Sequence, residues 1–145
     1  MFLAALVCLV VAISDGDTLT VHCGPDRFEQ HQVRIHAIDA PERYQSFADA
    51  SRSSLTDLCL NIRARIRQVT TDGYGRTVAE VECQGEDAAR HQVRSGMAWV
   101  YTRYAGTRAD LVALQAQARW ARVGLWVDHD PMPPWAWRPI SSPTD

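Results

Sequence analysis

Cys8 and Cys23 lie at equal distances from the midpoint of Asp15-Gly16, and Asp-Gly is a preferred two-residue hairpin turn. A hairpin closing there sets the two cysteines directly across from each other, a register that favours a disulfide wherever local geometry permits one. Leu19, Val21 and Cys23 alternate with Thr18, Thr20 and His22, so residues 7–24 read as one half-buried hairpin. Cys59 and Cys83 then form the second pair, and an even count suits an oxidising compartment. The competing reading is four buried free thiols in a cytosolic protein. With no C-x-x-C spacing and no histidine at zinc-finger distance, a zinc cluster is not expected.

A third strand is expected over residues 31–38, stopping at Pro41, which cannot donate to a ladder. Ser46 with Asp49 has the form of a capping box, opening a helix with apolar Phe47, Leu55, Leu58 and Ile62 that ends near Leu60. Ile62, Ala64 and Ile66 alternate with Arg63, Arg65 and Arg67 in a fourth strand. Its basic face could touch a nucleic-acid backbone, but a solvated face is favoured. After a turn at Asp72-Gly73, a fifth strand sets Ala79, Val81 and Cys83 against Val78, Glu80 and Glu82. A short helix over residues 86–95 stops at Gly96. Thr107 with Asp110 caps a longer one, with Leu111, Leu114, Ala118 and Ala121 on its buried stripe and Gly124 at its end. Three strands, a helix, two strands and then helices is the order of an α+β fold: a five-stranded OB-type Greek-key β-barrel with about three helices.

A chain of 145 residues supports one domain, assigned to residues 7–128, followed by a Pro/Trp-rich tail at 129–145 in which Trp135 and Trp137 pack back. Residues 1–13 carry no charge and suit the apolar part of a secretory signal better than a membrane span. They lack a basic start, and the strand entering Asp15 leaves no room for cleavage, so residues 1–6 read as a leader remnant. A formal charge of -2 provides no basic excess, and any grip on a polyanion must be local. All 15 basic residues are arginine, a bias attributed to the source genome, although it makes every cation capable of two-pronged contact.

Three acidic turns then stand out: Asp15-Gly16-Asp17-Thr18, Ile38-Asp39-Ala40-Pro41-Glu42 and Asp72-Gly73-Tyr74-Gly75-Arg76. Each alone reads as an ordinary turn. Together they supply oxygen ligands for a hard divalent cation, with Arg34 and Arg76 to grip a phosphate. Asp17 falls where the chain leaves the first turn, free to face a ligand, and His36 reads as a surface residue.

With Val33-Arg34-Ile35, Gly96-Met97-Ala98-Trp99, Gly124-Leu125-Trp126 and Pro134-Trp135-x-Trp137-Arg138 added, the chain resembles the staphylococcal-nuclease-like, or thermonuclease, family from residue 15 to 138. The resemblance implies a monomeric calcium-dependent endonuclease on an OB barrel, cleaving DNA and RNA to 5'-hydroxyl and 3'-phosphate ends. It implies one Ca2+ held by Asp17, Asp39 and the carbonyl of Ala40, with Asp15 in the outer shell. Glu42 is the implied general base, and Arg34 and Arg76 the implied phosphate ligands. Tyr74, Tyr101 and Tyr104 are implied nucleotide contacts, with rim or core packing as the alternative for each. Weak binding of a single ion suits a secreted or periplasmic setting over a cytoplasmic one.

Ala40 stands where the family often has Thr, which a carbonyl ligand tolerates. Ala89 stands where Asn is frequent, so one helix-to-barrel hydrogen bond is expected to be missing. The acidic balance departs from the basic familiar member and weakens nonspecific phosphate binding. Two rivals remain: a noncatalytic OB binding module, and a disulfide-stapled interaction domain whose charges do not converge.

Overall fold

The computed structural model describes residues 5–25 and 29–141. Along the chain come β1 (Leu6–Asp15), β2 (Thr18–His22), β3 (Gln30–Ile35), β4 (Ile38–Asp39) and α1 (Ala48–Cys59). They are followed by β5 (Arg63–Thr71), β6 (Thr77–Cys83), β7 (Glu86–Asp87) and α2 (Ala88–Arg94). Last are β8 (Trp99–Val100), α3 (Ala109–Ala121) and α4 (Pro134–Ser141). Of the expected leader remnant, residues 1–4 lie outside the described residues, and Leu6 already belongs to β1.

β1, β2 and β3 form an antiparallel meander, β5 pairs with the other side of β1, and β6 pairs with β5. β6 then runs parallel to β3, Val33 opposite Thr77 and Ile35 opposite Ala79, which closes a five-stranded barrel of the expected OB type. Inward residues of alternating strands fill it: Val10, Leu19, Val21, Val33, Ile35, Ala64, Ala79 and Val81 are all buried. α1 covers one end through Leu55, and Cys59 at its last turn is disulfide-bonded to Cys83 of β6.

Cys8 and Cys23 are bonded too, but not for the reason the turn suggests. Asp15 pairs with Thr18, so the two-residue turn is Gly16-Asp17, one position later than Asp15-Gly16. Register shifts between Ile13 and Asp15 and between Val10 and Ala12 return the ladder to Val10 opposite Val21. Two bulges in β1 thus restore the cysteine register that the shifted turn alone would have lost. Gly16 is required by crowding: a Cβ there would stand 1.7 Å from Ser51 Oγ of α1. Asp17 therefore belongs to the turn itself.

Other local expectations are corrected. The third strand breaks at Ala37, whose φ of 74° turns Ile38–Asp39 away to pair with β8. No Ser46–Asp49 capping box forms, because α1 is entered through Phe47 in the left-handed region, where a side-chain cap needs an extended residue. Thr107 does not cap α3; its hydroxyl donates to Tyr104 O, while Asp110 accepts from Arg108 and Arg90. Ala121 is exposed rather than on the buried stripe, and α3 ends at left-handed Arg122 before Gly124. His36 is half-buried edge-on against Tyr104 at 4.6 Å, and burial and Arg108 push its pKa down. The Arg stripe of β5 is the solvated face favoured above: Arg65 lies opposite Glu82 and Arg67 opposite Glu80, 3.6 Å apart in the latter pair.

The Pro/Trp-rich segment contains a fourth helix, α4. Trp135 packs edge-on against Trp99 at 5.6 Å and Tyr101 at 5.5 Å. That docking brings Arg138 back to the barrel.

Candidate active site

The β1–β2 turn, the end of β3 with β4, the β5–β6 turn, the segment after β8 and α4 converge on one cavity of about 480 Å³. Asp15, Asp17, Arg34, Asp39, Glu42, Tyr74, Arg76, Tyr101 and Tyr104 all line it, joined by Asp72, Arg103 and Arg138. The prediction that the charges scatter, made by the interaction-domain reading, fails. Ala40 does not line the cavity, but its N–H donates to Asp17 Oδ2 at 2.7 Å.

Asp17 is the best-anchored acid. Besides Ala40, it accepts from Thr18 Oγ1 at 2.8 Å, and Arg34 Nη1 lies 3.2 Å from Oδ2. Its own N–H donates to Asp15 Oδ1 at 3.0 Å. Gln92 of α2 secures the turn from behind, its Nε2 donating to Gly16 O at 2.8 Å and Ser51 O at 3.0 Å. With Ala89 buried in place of a polar residue, Gln92 provides a helix-to-barrel tie one turn further along α2. Asp39 is buried. Its Oδ1 faces Arg34 Nη2 at 3.4 Å and Arg138 Nη2 at 2.5 Å, while Oδ2 has no hydrogen-bond partner among the described residues.

These surroundings separate the three carboxyls. Burial and the neighbouring Asp17 charge push Asp15 up to about 8, and the same two causes push Asp39 up to about 6. Burial also opposes ionisation of Asp17, but Arg34 and the hydrogen bonds from Ala40 and Thr18 hold it below the usual carboxylate range. Fully ionised, the three acids would place more negative charge here than the setting holds without protons, the condition a bound cation relieves.

The cavity chemistry fits such an ion. Its lining has neither histidine nor cysteine, so oxygen is the available ligand atom, as hard cations prefer. The buried Oδ2 of Asp39 has no partner among the described residues, an oxygen whose lone pairs an ion would satisfy. Among the described residues no three His, Cys, Asp or Glu side chains form a ready cage, so an ion here would rest on few protein ligands.

Arg76 is oriented locally. Asp72 Oδ2 accepts from its Nε at 2.7 Å, Asp72 Oδ1 accepts from the N–H groups of Tyr74 and Arg76, and the guanidinium stands 5.6 Å from the Tyr74 ring centre. Arg34, Asp39, Glu42 and Arg76 fall within residues 32–128, which match the family model described as staphylococcal nuclease homologue. The chain belongs to the staphylococcal nuclease homologue family.

Several relatives of the chain carry nuclease names. An uncharacterised endonuclease of Haemophilus influenzae is 41% identical over 133 residues, 90% of this chain and 72% of its own length. A micrococcal nuclease of Shigella flexneri is 36% identical over 143 residues, 91% and 80% of the two chains. The staphylococcal-like nuclease CAN1 of Arabidopsis thaliana is 31% identical over 110 residues, 76% of this chain and 34% of its own length. Family membership supports an endonuclease-type hydrolase with nucleic acid as its substrate class. The two disulfides fit a non-cytoplasmic setting, and no helix among the described residues is long and apolar enough to cross a membrane.

Three residues at or behind the cavity are not marked by any signal in the sequence that ties them to it. Gln92 and Arg103 carry no motif, and on a helix or loop each reads as an ordinary polar residue. Arg138 was visible at the end of Pro134-Trp135-x-Trp137-Arg138, but nothing in its spacing ties it to Glu42, 96 residues away. Tyr101 and Tyr104 are partly committed to packing, against each other at 6.0 Å and against Trp135 and His36, whereas Tyr74 is open to solvent.

Proposed function

We propose that this chain is a Ca2+-dependent endonuclease, secreted or periplasmic, that hydrolyses DNA and RNA to 5'-hydroxyl and 3'-phosphate ends. The observation that carries the reading is the convergence of Asp17, Asp39, Glu42, Arg34 and Arg76 on one cavity. Five carboxylates and four guanidiniums line it, so the side chains alone do not make it attractive to a polyanion. Bound Ca2+ would supply positive charge, Lewis acidity and a template for the phosphodiester.

Asp17, Asp39 and the carbonyl of Ala40 are the residues that would hold the ion, with Asp15 behind them. Arg34 and Arg76 bind the scissile phosphate and stabilise charge growing on its equatorial oxygens. Glu42 takes a proton from the attacking water. The water oxygen bonds to phosphorus, the bond to the 5' oxygen breaks, that oxygen takes a proton from solvent to become the 5'-hydroxyl, and the phosphate stays on the 3' side. Tyr74, with Tyr101 and Tyr104 at the rim, offers faces to bases.

The test is incubation of single- and double-stranded DNA and RNA with Ca2+, Mg2+ or chelator, with end-group analysis of the products, beside Glu42→Gln. Cleavage that requires Ca2+ and falls about 10²–10⁴-fold in Glu42→Gln is expected. Binding without cleavage under every metal condition would sink the enzyme reading in favour of a noncatalytic module.

A further inference from the structure

Arg138 joins two side chains to which the reading above gives separate tasks. Its Nε donates to Glu42 Oε1 at 2.7 Å and its Nη2 to Asp39 Oδ1 at 2.5 Å, so one planar guanidinium spans the general base and a cation-binding acid. The contact is held at both ends. On one side, Glu42 N–H donates to Gln45 Oε1 at 2.9 Å, and Gln45 Nε2 donates to Met132 O at 2.7 Å, just ahead of α4. On the other, Trp135 seats α4 against Trp99 and Tyr101. The Glu42 loop and the C-terminal helix are therefore tied through main chain, side chain and aromatic packing.

The Glu42 side chain is about a third exposed, with several rotatable bonds and no other hydrogen-bonded side-chain partner among the described residues. A base must be held within hydrogen-bond reach of its water, and a loose glutamate spends most of its time elsewhere. A fork that fixes Glu42 against buried Asp39 removes that freedom. Lysine cannot replace it, being a point charge rather than a planar pair of donors.

We propose that Arg138 is a positioning residue of the nuclease reaction, holding Glu42 in line with Asp39 and making α4 part of the active site. The inference rests on the nuclease reading, and its test separates the two. The full chain and its Arg138→Gln, Arg138→Lys, Glu42→Gln and Arg138→Gln/Glu42→Gln variants are assayed on a single-stranded DNA oligonucleotide at saturating Ca2+. Melting temperature and calorimetric Ca2+ affinity are measured on each.

Arg138→Gln is expected to lower kcat about 10–100-fold with KM little changed, the scale of losing a group that orients another. Arg138→Lys, which keeps charge and helix, recovers little of that loss. In the Glu42→Gln background the second substitution has no further effect, because there is no base left to position. Ca2+ affinity is kept or improved, since a competing cation leaves Asp39.

Several results overturn the inference. A KM-driven loss that persists in the Glu42→Gln background makes Arg138 a phosphate contact. Loss of Ca2+ affinity together with a lower melting temperature, or full recovery by lysine, makes it a structural or simple charge contribution. Wild-type kinetics in Arg138→Gln, with Glu42→Gln inactive, overturns this inference alone, whereas a wild-type chain that cleaves nothing overturns the nuclease reading with it.

Discussion

Asp17 is 5% exposed in a turn held by Ala40, Arg34 and Gln92, whereas Tyr74, across the same cavity, is 88% exposed in a turn that holds itself. In the β5–β6 turn the bonds to Asp72 among the described residues are local: its carboxylate accepts from Tyr74 and Arg76, and its main chain pairs with Gly75 and Arg76. The β1–β2 turn instead depends on partners from β3, α2 and the segment after β4. The Asp17 side of the cavity is thus prepared by tertiary contacts and the Arg76 side by turn chemistry. Damage on the two sides should look different: stability and ion affinity on the first, catalysis with the fold intact on the second.

The largest contrast comes from Arg76→Ala. If Arg76 is the phosphate donor proposed above, its removal should lower kcat about 10²–10³-fold. Because the residue sits in a self-contained turn, melting should shift little. A melting loss as large as that of a core substitution would break the distinction between the two sides.

On the other side, Gln92→Ala leaves the carbonyls of Gly16 and Ser51 without their buried donor. A loss of about 1–3 kcal/mol in denaturant unfolding is expected. Weaker Ca2+ binding should accompany it, since the turn that carries Asp17 loosens. Unchanged Ca2+ affinity in a destabilised Gln92→Ala would show that the turn needs no support from α2.

Proton linkage sharpens the same point. Asp15 and Asp39 hold their protons up to about 8 and about 6 in the folded chain, against 3.8 when free. The native state therefore binds more protons than the unfolded one over that interval, and without cation, stability should fall as pH rises through it. Asp17 has the opposite sign but acts only below the ordinary carboxylate range. The gain in melting temperature on adding Ca2+ should grow from about pH 5 to about pH 8 as both protons leave. A gain that stays constant across that interval would contradict the burial of these acids as the cause.

The smallest effect is expected for Tyr74→Ala. An exposed aromatic face beside a guanidinium is worth about 0.5–1 kcal/mol, a KM rise of about two- to fivefold with no change in melting.

The legibility of the site follows the same division. The Asp72-to-Arg76 turn could be read directly, because its hydrogen bonds join residues two to four apart. The cysteine pairing was also legible, though through a turn placed one residue early. Two bulges in β1 hid that shift, and bulges leave no mark in an alternation of apolar residues. The Ser46–Asp49 capping motif failed because the chain enters α1 from left-handed Phe47, and the Thr107 motif because its hydroxyl is bonded back to Tyr104 O. Gln92 and Arg138 were missed as site residues because each acts on partners more than forty residues away.

The sequence by itself determined the order of the barrel strands, the barrel class, the disulfide partners and a set of candidate acids and arginines. All of these depend on residue type, short-range spacing or periodicity. Only the tertiary structure decided which acids are buried, which guanidinium holds which carboxylate, and that the Pro/Trp-rich end returns as a helix to reach Glu42. Charge placement is a property of distance in space, and barrel closure brings together side chains that the chain keeps far apart.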